Sequence, residues 1–107
     1  MAEYVTFFGK KREKRVLAKI DTGADKSVID VLIAQEIGVI YTSETYTTHY
    51  PSGRKRVRPL CRVWIGMRDF TSVLDVVVDN RSNMRYAALI GNDILKQSDV
   101  LIDPSGQ

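Results

Sequence analysis

One carboxylate in the sequence stands apart from the others by its setting. Asp21 follows the run Leu17-Ala18-Lys19-Ile20 and precedes Thr22-Gly23-Ala24-Asp25. A strand therefore delivers it to the mouth of a turn, where a glycine without a Cβ leaves room beside it. An acid at the end of a rigid element can take a proton from water or give one to a leaving group, but one carboxylate cannot do both on a single water. Two carboxylates held about 3 Å apart can, because they cannot both ionise: one keeps its proton and the pair shares a raised apparent pKa.

Other chemistry is poorly represented. His49 and Cys61 stand on opposite arms of an expected hairpin, with no His-Glu-x-x-His and no cysteine pair, so a zinc set is missing. There is no Gly-x-x-x-x-Gly-Lys-Ser/Thr loop for nucleotide phosphates. No metal and no cofactor are expected. His49 reads as a surface or flap residue, and Cys61 as a core thiol, since no base is evident beside it.

The elements that must position Asp21 follow from periodicity and turn chemistry. Tyr4 to Phe8 is β-branched and aromatic, Gly9 to Arg15 is too polar to be buried, and Val16, Ala18 and Ile20 then alternate with Leu17, Lys19 and Asp21. This reads as strand, exposed turn, strand. Beyond Thr22-Gly23 a short strand Ser27-Val28-Ile29 precedes a brief helix from Val31 to Ile37, capped by Asp30 and stopped by Gly38. Val39 to Thr48 has strand composition and Pro51-Ser52-Gly53 is a turn signal. Past the turn Val57, Pro59, Cys61, Val63 and Ile65 share one side of a return strand, with Arg58, Leu60, Arg62 and Trp64 on the other. Gly66 to Asp69 turns the chain into a strand from Phe70 to Val78, Asp79 to Asn83 is a polar loop, and Tyr86 to Ile90 is a buried-looking strand. Gly91 interrupts it, Asn92 to Gln97 makes at most a short helix, and Val100-Leu101-Ile102 closes the chain before Pro104. The expected fold is a single all-β domain over 1–107, a small closed or partly open barrel with a long hairpin and one or two short helices.

Composition sets the outer bounds. A chain of 107 residues with 44% apolar content is one domain with a modest core. No apolar run approaches the roughly 20 residues of a membrane helix. A single cysteine and no secretory leader point to a reducing, cytoplasmic setting. The net charge is +3, yet Lys10, Lys11, Arg12, Lys14 and Arg15 form one cluster, and Arg54, Lys55, Arg56 and Arg58 another. Such clusters either meet an anionic partner or solvate hairpin tips and discourage edge pairing.

An isolated Asp-Thr-Gly is weak evidence, arising by chance in about one chain in fifty of this length. A second apolar-apolar-Gly element, Leu89-Ile90-Gly91, gives it context. With both motifs the chain resembles the retropepsin-like aspartic proteases over almost its whole length. The resemblance is carried by Ile20-Asp21-Thr22-Gly23-Ala24-Asp25, the hairpin around Pro51-Ser52-Gly53 where a flap would be, and Ala88-Leu89-Ile90-Gly91-Asn92-Asp93-Ile94-Leu95. Asp79-Asn80-Arg81-Ser82-Asn83-Met84-Arg85-Tyr86 and Leu101-Ile102-Asp103-Pro104-Ser105 are similar to the subgroup often labelled "ATP-dependent zinc protease", found beside glutamate-ligating enzymes. Neither half of that label has support in the residues.

The resemblance implies an acid-protease barrel and a homodimeric endopeptidase. Asp21 would be catalytic. Thr22, Gly23, Leu89, Ile90 and Gly91 would support the active-site loop, and Ala24, Asp25, Ser52, Gly53 and Arg54 would touch a peptide or protein substrate. Only one Asp-Thr-Gly is present, and Asp30, Asp69, Asp75, Asp79, Asp93, Asp99 and Asp103 lack its setting. The missing acid is most simply Asp21 of a second copy, which places the site on a two-fold axis. Chain termini would help build that interface, recruiting Tyr4 to Phe8 and Val100 to Ile102. Two departures stand out. Asn92 takes the place of a common Arg, so no ion pair to Asp25 can come from there, and the flap has one glycine, Gly53, beside Pro51.

If Arg54, Lys55, Arg56 and Arg58 line the cleft, acidic peptides are favoured. Trp64, Tyr46 and Tyr50 read as packing residues, although Tyr46 and Tyr50 at the flap could touch substrate. A reading of another class is a protease-like fold without activity, a dimeric module binding an anionic peptide or nucleic acid through the basic hairpins. It leaves the two paired motifs unexplained, so nucleic acid is not the expected partner.

Overall fold

The computed structural model describes the backbone of residues 1–102 and the side chains of residues 1–97. Strand β1 (Ala2–Phe8) buries Val5 and Phe7 and turns Tyr4 and Phe8 outward, while β2 (Glu13–Ile20) buries Val16 and Ala18 between exposed Arg15, Leu17 and Lys19. They pair antiparallel, with Ala2 opposite Lys19 and Phe8 opposite Glu13. The exposed turn is shorter than its polar residues suggest, covering 9–12 alone. Lys14 and Arg15 belong to the strand, where both find partners on neighbouring elements: Lys14 Nζ donates to Glu36 at 3.1 Å, and Arg15 stacks 3.9 Å over the Tyr4 ring.

Strand β3 (Val28–Asp30) is buried throughout and leads into helix α1 (Val31–Ile37). The Asp30 carboxylate accepts from the Leu32 amide at 3.1 Å, and Gly38 closes the helix at φ 77°, so cap and stop lie where the sequence placed them. The β1–β2 turn seats on that helix end, the Lys10 and Lys11 amides donating to Gly38 O and Ile37 O at 2.9 and 2.8 Å.

The remaining elements are β4 (Ile40–His49), β5 (Lys55–Met67), β6 (Phe70–Asp79), β7 (Ala88–Ile90) and α2 (Asn92–Ile102). The sheet runs β1-β2-β7-β3-β6-β5-β4, and pairing of β1 with β5 closes six strands into a barrel that leaves β4 attached outside through β5. Phe7, Ile29, Ile37, Ile65, Ile90 and Ile94 are fully buried in its core. Among the described residues no helix is long and apolar enough to cross a membrane.

Three expectations change. Strand β7 starts at Ala88, because residues 80–87 form a loop held by Arg81, whose amide donates to Asp30 Oδ1 at 2.7 Å and whose Nε donates to Tyr86 O at 2.8 Å. Helix α2 runs on to Ile102, past the expected end at Gln97. On β5 the inward alternation holds for Cys61, Val63 and Ile65 but fails toward the turn: Val57 and Pro59 are exposed and Leu60 is buried. There the hairpin has left the barrel, and Leu60 packs on its other face with Val28 and Val77 under Tyr46 and Leu89.

Candidate active site

The Asp21 segment is held by topology before any side chain acts. Strand β7 lies between β2 and β3, parallel to the first with Ile20 beside Ile90, and antiparallel to the second with Val28 beside Leu89. The chain from 21 to 27 must therefore cross the end of β7. The Asp21 amide donates to Ile90 O at 2.9 Å, and the crossing passes over Gly91. A Cβ at Gly91 would lie 2.7 Å from Ala24 O and 3.0 Å from Lys26 C, a clash with backbone that no rotamer relieves.

Polar groups from the residues after β7 then clasp the loop. The Asn92 amide donates to Ala24 O at 2.8 Å and its Nδ2 to Thr22 O at 2.7 Å. Asn92 thus holds the loop through two backbone carbonyls, with no bond to Asp25 among the described residues. Beneath, Ser27 is buried: its hydroxyl donates to Asp93 Oδ1 at 2.7 Å and accepts from the Gly91 amide at 3.0 Å, and its own amide donates to Asp93 Oδ2 at 2.9 Å. Nothing in sequence spacing marks Ser27 and Asp93 as partners.

Asp21 itself is partly exposed, with Oδ1 accepting from the Gly23 amide at 2.9 Å. Among the described residues no cation pairs with it. Thr22, Gly23 and Asp25 face solvent and Ala24 is half-buried, so the expected loop residues present themselves together at one end of the barrel. Ile90 and Gly91 lie against the loop through the contacts above, and Leu89 lines the cleft beside it.

A cleft of about 290 Å³ opens beside this loop. Gly23, Ala24, Asp25 and Lys26 form one wall and Tyr46, Thr48 and Arg58 of the hairpin the other, over a floor of Val28, Val77 and Leu89. Ala24 and Asp25 therefore meet the root of the hairpin. Ser52, Gly53 and Arg54 do not join them. They sit at the tip, where the Tyr50 amide donates to Arg54 O and the Gly53 amide to Tyr50 O, both at 2.9 Å, and Ser52 and Arg54 line a separate open depression with Tyr50, Lys55 and Arg56. Of the two tyrosines considered for substrate contact, Tyr46 lines the cleft.

The cationic flap is also changed by pairing. Arg58 Nη1 donates to Asp79 Oδ2 at 3.1 Å and Nη2 to Thr48 Oγ1 at 2.6 Å, while Arg56 pairs with the other Asp79 oxygen. Arg62 forms a bidentate pair with Asp75 at 2.9 and 3.3 Å. The charge that would draw an acidic peptide to the cleft is thus largely answered within the chain, leaving Arg54 and Lys55 at the tip. The same pairing removes much of the charge that a binding module would use.

Cys61 is fully buried, and burial together with Asp75 pushes its thiol up to about 12, so it is a core residue without nucleophilic character. His49 is exposed at the end of β4. No group of three His, Cys, Asp or Glu among the described residues could hold a metal.

Strand β1 limits how the segment from Tyr4 to Phe8 could serve an interface. It pairs with β2 along its length and with β5 from Thr6 to Phe8, and Val5 and Phe7 point into the core. Side chains of Val100 to Ile102 lie outside the described residues.

No family model matches the chain, and no curated protein matches it. A solved structure does: a protein of unknown function (DUF785) from Legionella pneumophila subsp. pneumophila str. Philadelphia 1, with a TM-score of 0.61 at 18% identity, over 90% of this chain and 84% of that one. Likeness at that identity speaks for the fold.

Proposed function

We propose that the chain is one half of a homodimeric aspartic endopeptidase whose site is completed by Asp21 of a second copy. The observation that carries this reading is the crossing of the 21–27 loop over Gly91, which holds Asp21 by its amide on Ile90 O while its carboxylate stays open to solvent beside the cleft. Thr22, exposed next to it, offers a hydroxyl to the twin loop across the axis.

In the reaction the ionised Asp21 takes a proton from a water lying between the two carboxylates. The water oxygen bonds to the peptide carbonyl carbon, and the protonated Asp21 gives its proton to the carbonyl oxygen. Collapse of the tetrahedral intermediate breaks the C–N bond as a proton passes to nitrogen. Substrate lies under the root of the hairpin, against Tyr46 and Thr48.

The test is Asp21→Asn. It should sediment as a dimer and unfold at the wild-type temperature while peptide cleavage falls at least about 100-fold, the low end for loss of an acid-base group. Cleavage retained in a folded Asp21→Asn dimer, or a wild-type protein that is monomeric and still active, refutes the proposal.

A further inference from the structure

The outer face of the barrel carries an apolar stripe left uncovered by the described residues. Phe8, Trp64 and Val73 stand in direct cross-strand register on β1, β5 and β6, so all three point the same way, 37%, 52% and 41% exposed. Phe8 lies over Gly66, where a Cβ would come within 3.2 Å of its ring. With Val39 and Ile40 these side chains line a groove of about 290 Å³, and a second depression with Val31 and Tyr41 continues from it, Lys10 bordering both. Large apolar residues gathered on a sheet face around an exposed tryptophan mark an interaction site more often than a solvated surface.

Charge says what the site would take. The Lys10 and Lys11 amides are tied to the end of α1, which fixes the turn at the rim of the groove. Neither lysine forms an ion pair among the described residues, and Arg12 and Lys14 share one carboxylate, Glu36, at 3.6 and 3.1 Å. The rim is left with excess positive charge. On a second copy Glu3, Asp75 and Asp79 are paired with arginines of their own chain and Asp30 and Asp93 are bonded within the fold, while Glu13, Asp21, Asp25, Glu44 and Asp69 form no ion pair among the described residues, so self-association is an outcome the test must separate. Aliphatic walls at Val39, Ile40 and Val73 suit side chains better than stacked bases.

We propose that this groove docks an extended acidic-apolar segment of a partner protein, a bulky apolar side chain resting on the Trp64 stripe and neighbouring carboxylates facing Lys10 and Lys11. Phe8 and Glu13 lie at the opposite end of the β1–β2 hairpin from Asp21, on the order of 20 Å away along β2. The surface is therefore separate from the cleft and does not depend on the proposed activity.

Trp64 is the single tryptophan, so its emission reports the site directly. The Asp21→Asn protein, which cannot consume the probe, is titrated with a panel of acidic hexapeptides bearing Phe, Leu, Ile or Trp-free aromatic anchors. Saturable blue shifts are expected, with affinity reduced at least about tenfold by Lys10→Glu/Lys11→Glu and by added salt, and lost in Val73→Glu. Val73→Ser, milder on folding, should weaken binding in between. No shift with any acidic peptide, equal binding of lysine-substituted peptides, tighter binding of a single-stranded oligonucleotide, or self-association that Val73→Glu abolishes would each overturn the proposal.

Discussion

Replacing Ser27 by Ala removes the pin that joins the two halves of the loop support. The Ser27 hydroxyl makes two bonds in a site 1% exposed, one to the Asp93 carboxylate at 2.7 Å and one from the Gly91 amide at 3.0 Å. A hydrogen bond to a charged group contributes about 1.5–3 kcal/mol, and a buried N–H left without an acceptor costs about 1–3 kcal/mol. The amide of residue 27 still donates to Asp93 Oδ2, which retains part of the contact. We expect a net loss of about 3 kcal/mol, a large share of the stability of a domain this size. With a urea m-value of about 1.5 kcal/mol/M the midpoint falls by about 2 M while m stays constant. The assay is equilibrium unfolding followed by Trp64 emission, repeated for Asp93→Ala and the double variant. A coupling of at least about 1 kcal/mol is expected between the two positions. A loss below about 0.5 kcal/mol for Ser27→Ala, the range of an ordinary surface change, refutes the clasp.

Gly91→Ala should destabilise by about 1–3 kcal/mol in thermal unfolding, since its Cβ meets the Ala24 carbonyl oxygen at 2.7 Å. Asp79→Asn leaves Arg56 and Arg58 without their shared carboxylate; amide exchange should quicken across β4 and the outer half of β5, and in peptide cleavage KM should rise more than kcat falls. The Arg68 guanidinium holds the Glu3 carboxyl below its ordinary value of 4.5, so their pairing stabilises the fold above that pH and is lost as pH falls through the lowered value. Glu3→Gln should lower stability near neutrality and flatten the acid limb, the two profiles converging below the lowered value, as followed by urea unfolding against pH.

Local rules were enough for much of this fold. β-Branched and aromatic composition marked β1, alternation marked the inward set of β2, and Asp30 and Gly38 bounded α1 because caps act within a few residues. Motif content drew Leu89-Ile90-Gly91 and the Asp21 segment together, although the parallel pairing that sets Ile20 beside Ile90 was not legible. Three features escaped for one reason, that their partners are distant in sequence. Asp79 pairs with Arg56 and Arg58 from the neighbouring strand, answering their charge while Arg58 stays in the cleft wall. Ser27 and Asp93 look like ordinary polar residues until β7 brings them together. Leu60 read as outward because alternation assumes one core, whereas the hairpin root packs on a second, smaller one. The cleft beside the Asp21 loop therefore forms at the root of the hairpin, where Tyr46, Thr48 and Arg58 stand, and the glycine turn that drew attention lies beyond it.

The insertion of β7 between β2 and β3 also orders events in time. Those two strands flank the Asp21 loop yet do not bond to each other; each bonds to a strand made about sixty to seventy residues later. A growing chain that has emerged only through β6 has a slot where Ile90 and Gly91 will go, and nothing for the Asp21 amide or the Ser27 hydroxyl to hold. Long-range parallel pairing of this kind is slow, because loop closure comes before any contact rewards it. The Asp21 amide therefore has its acceptor only once β7 has paired, and a chain that ends before β7 lacks the contacts that hold the carboxylate.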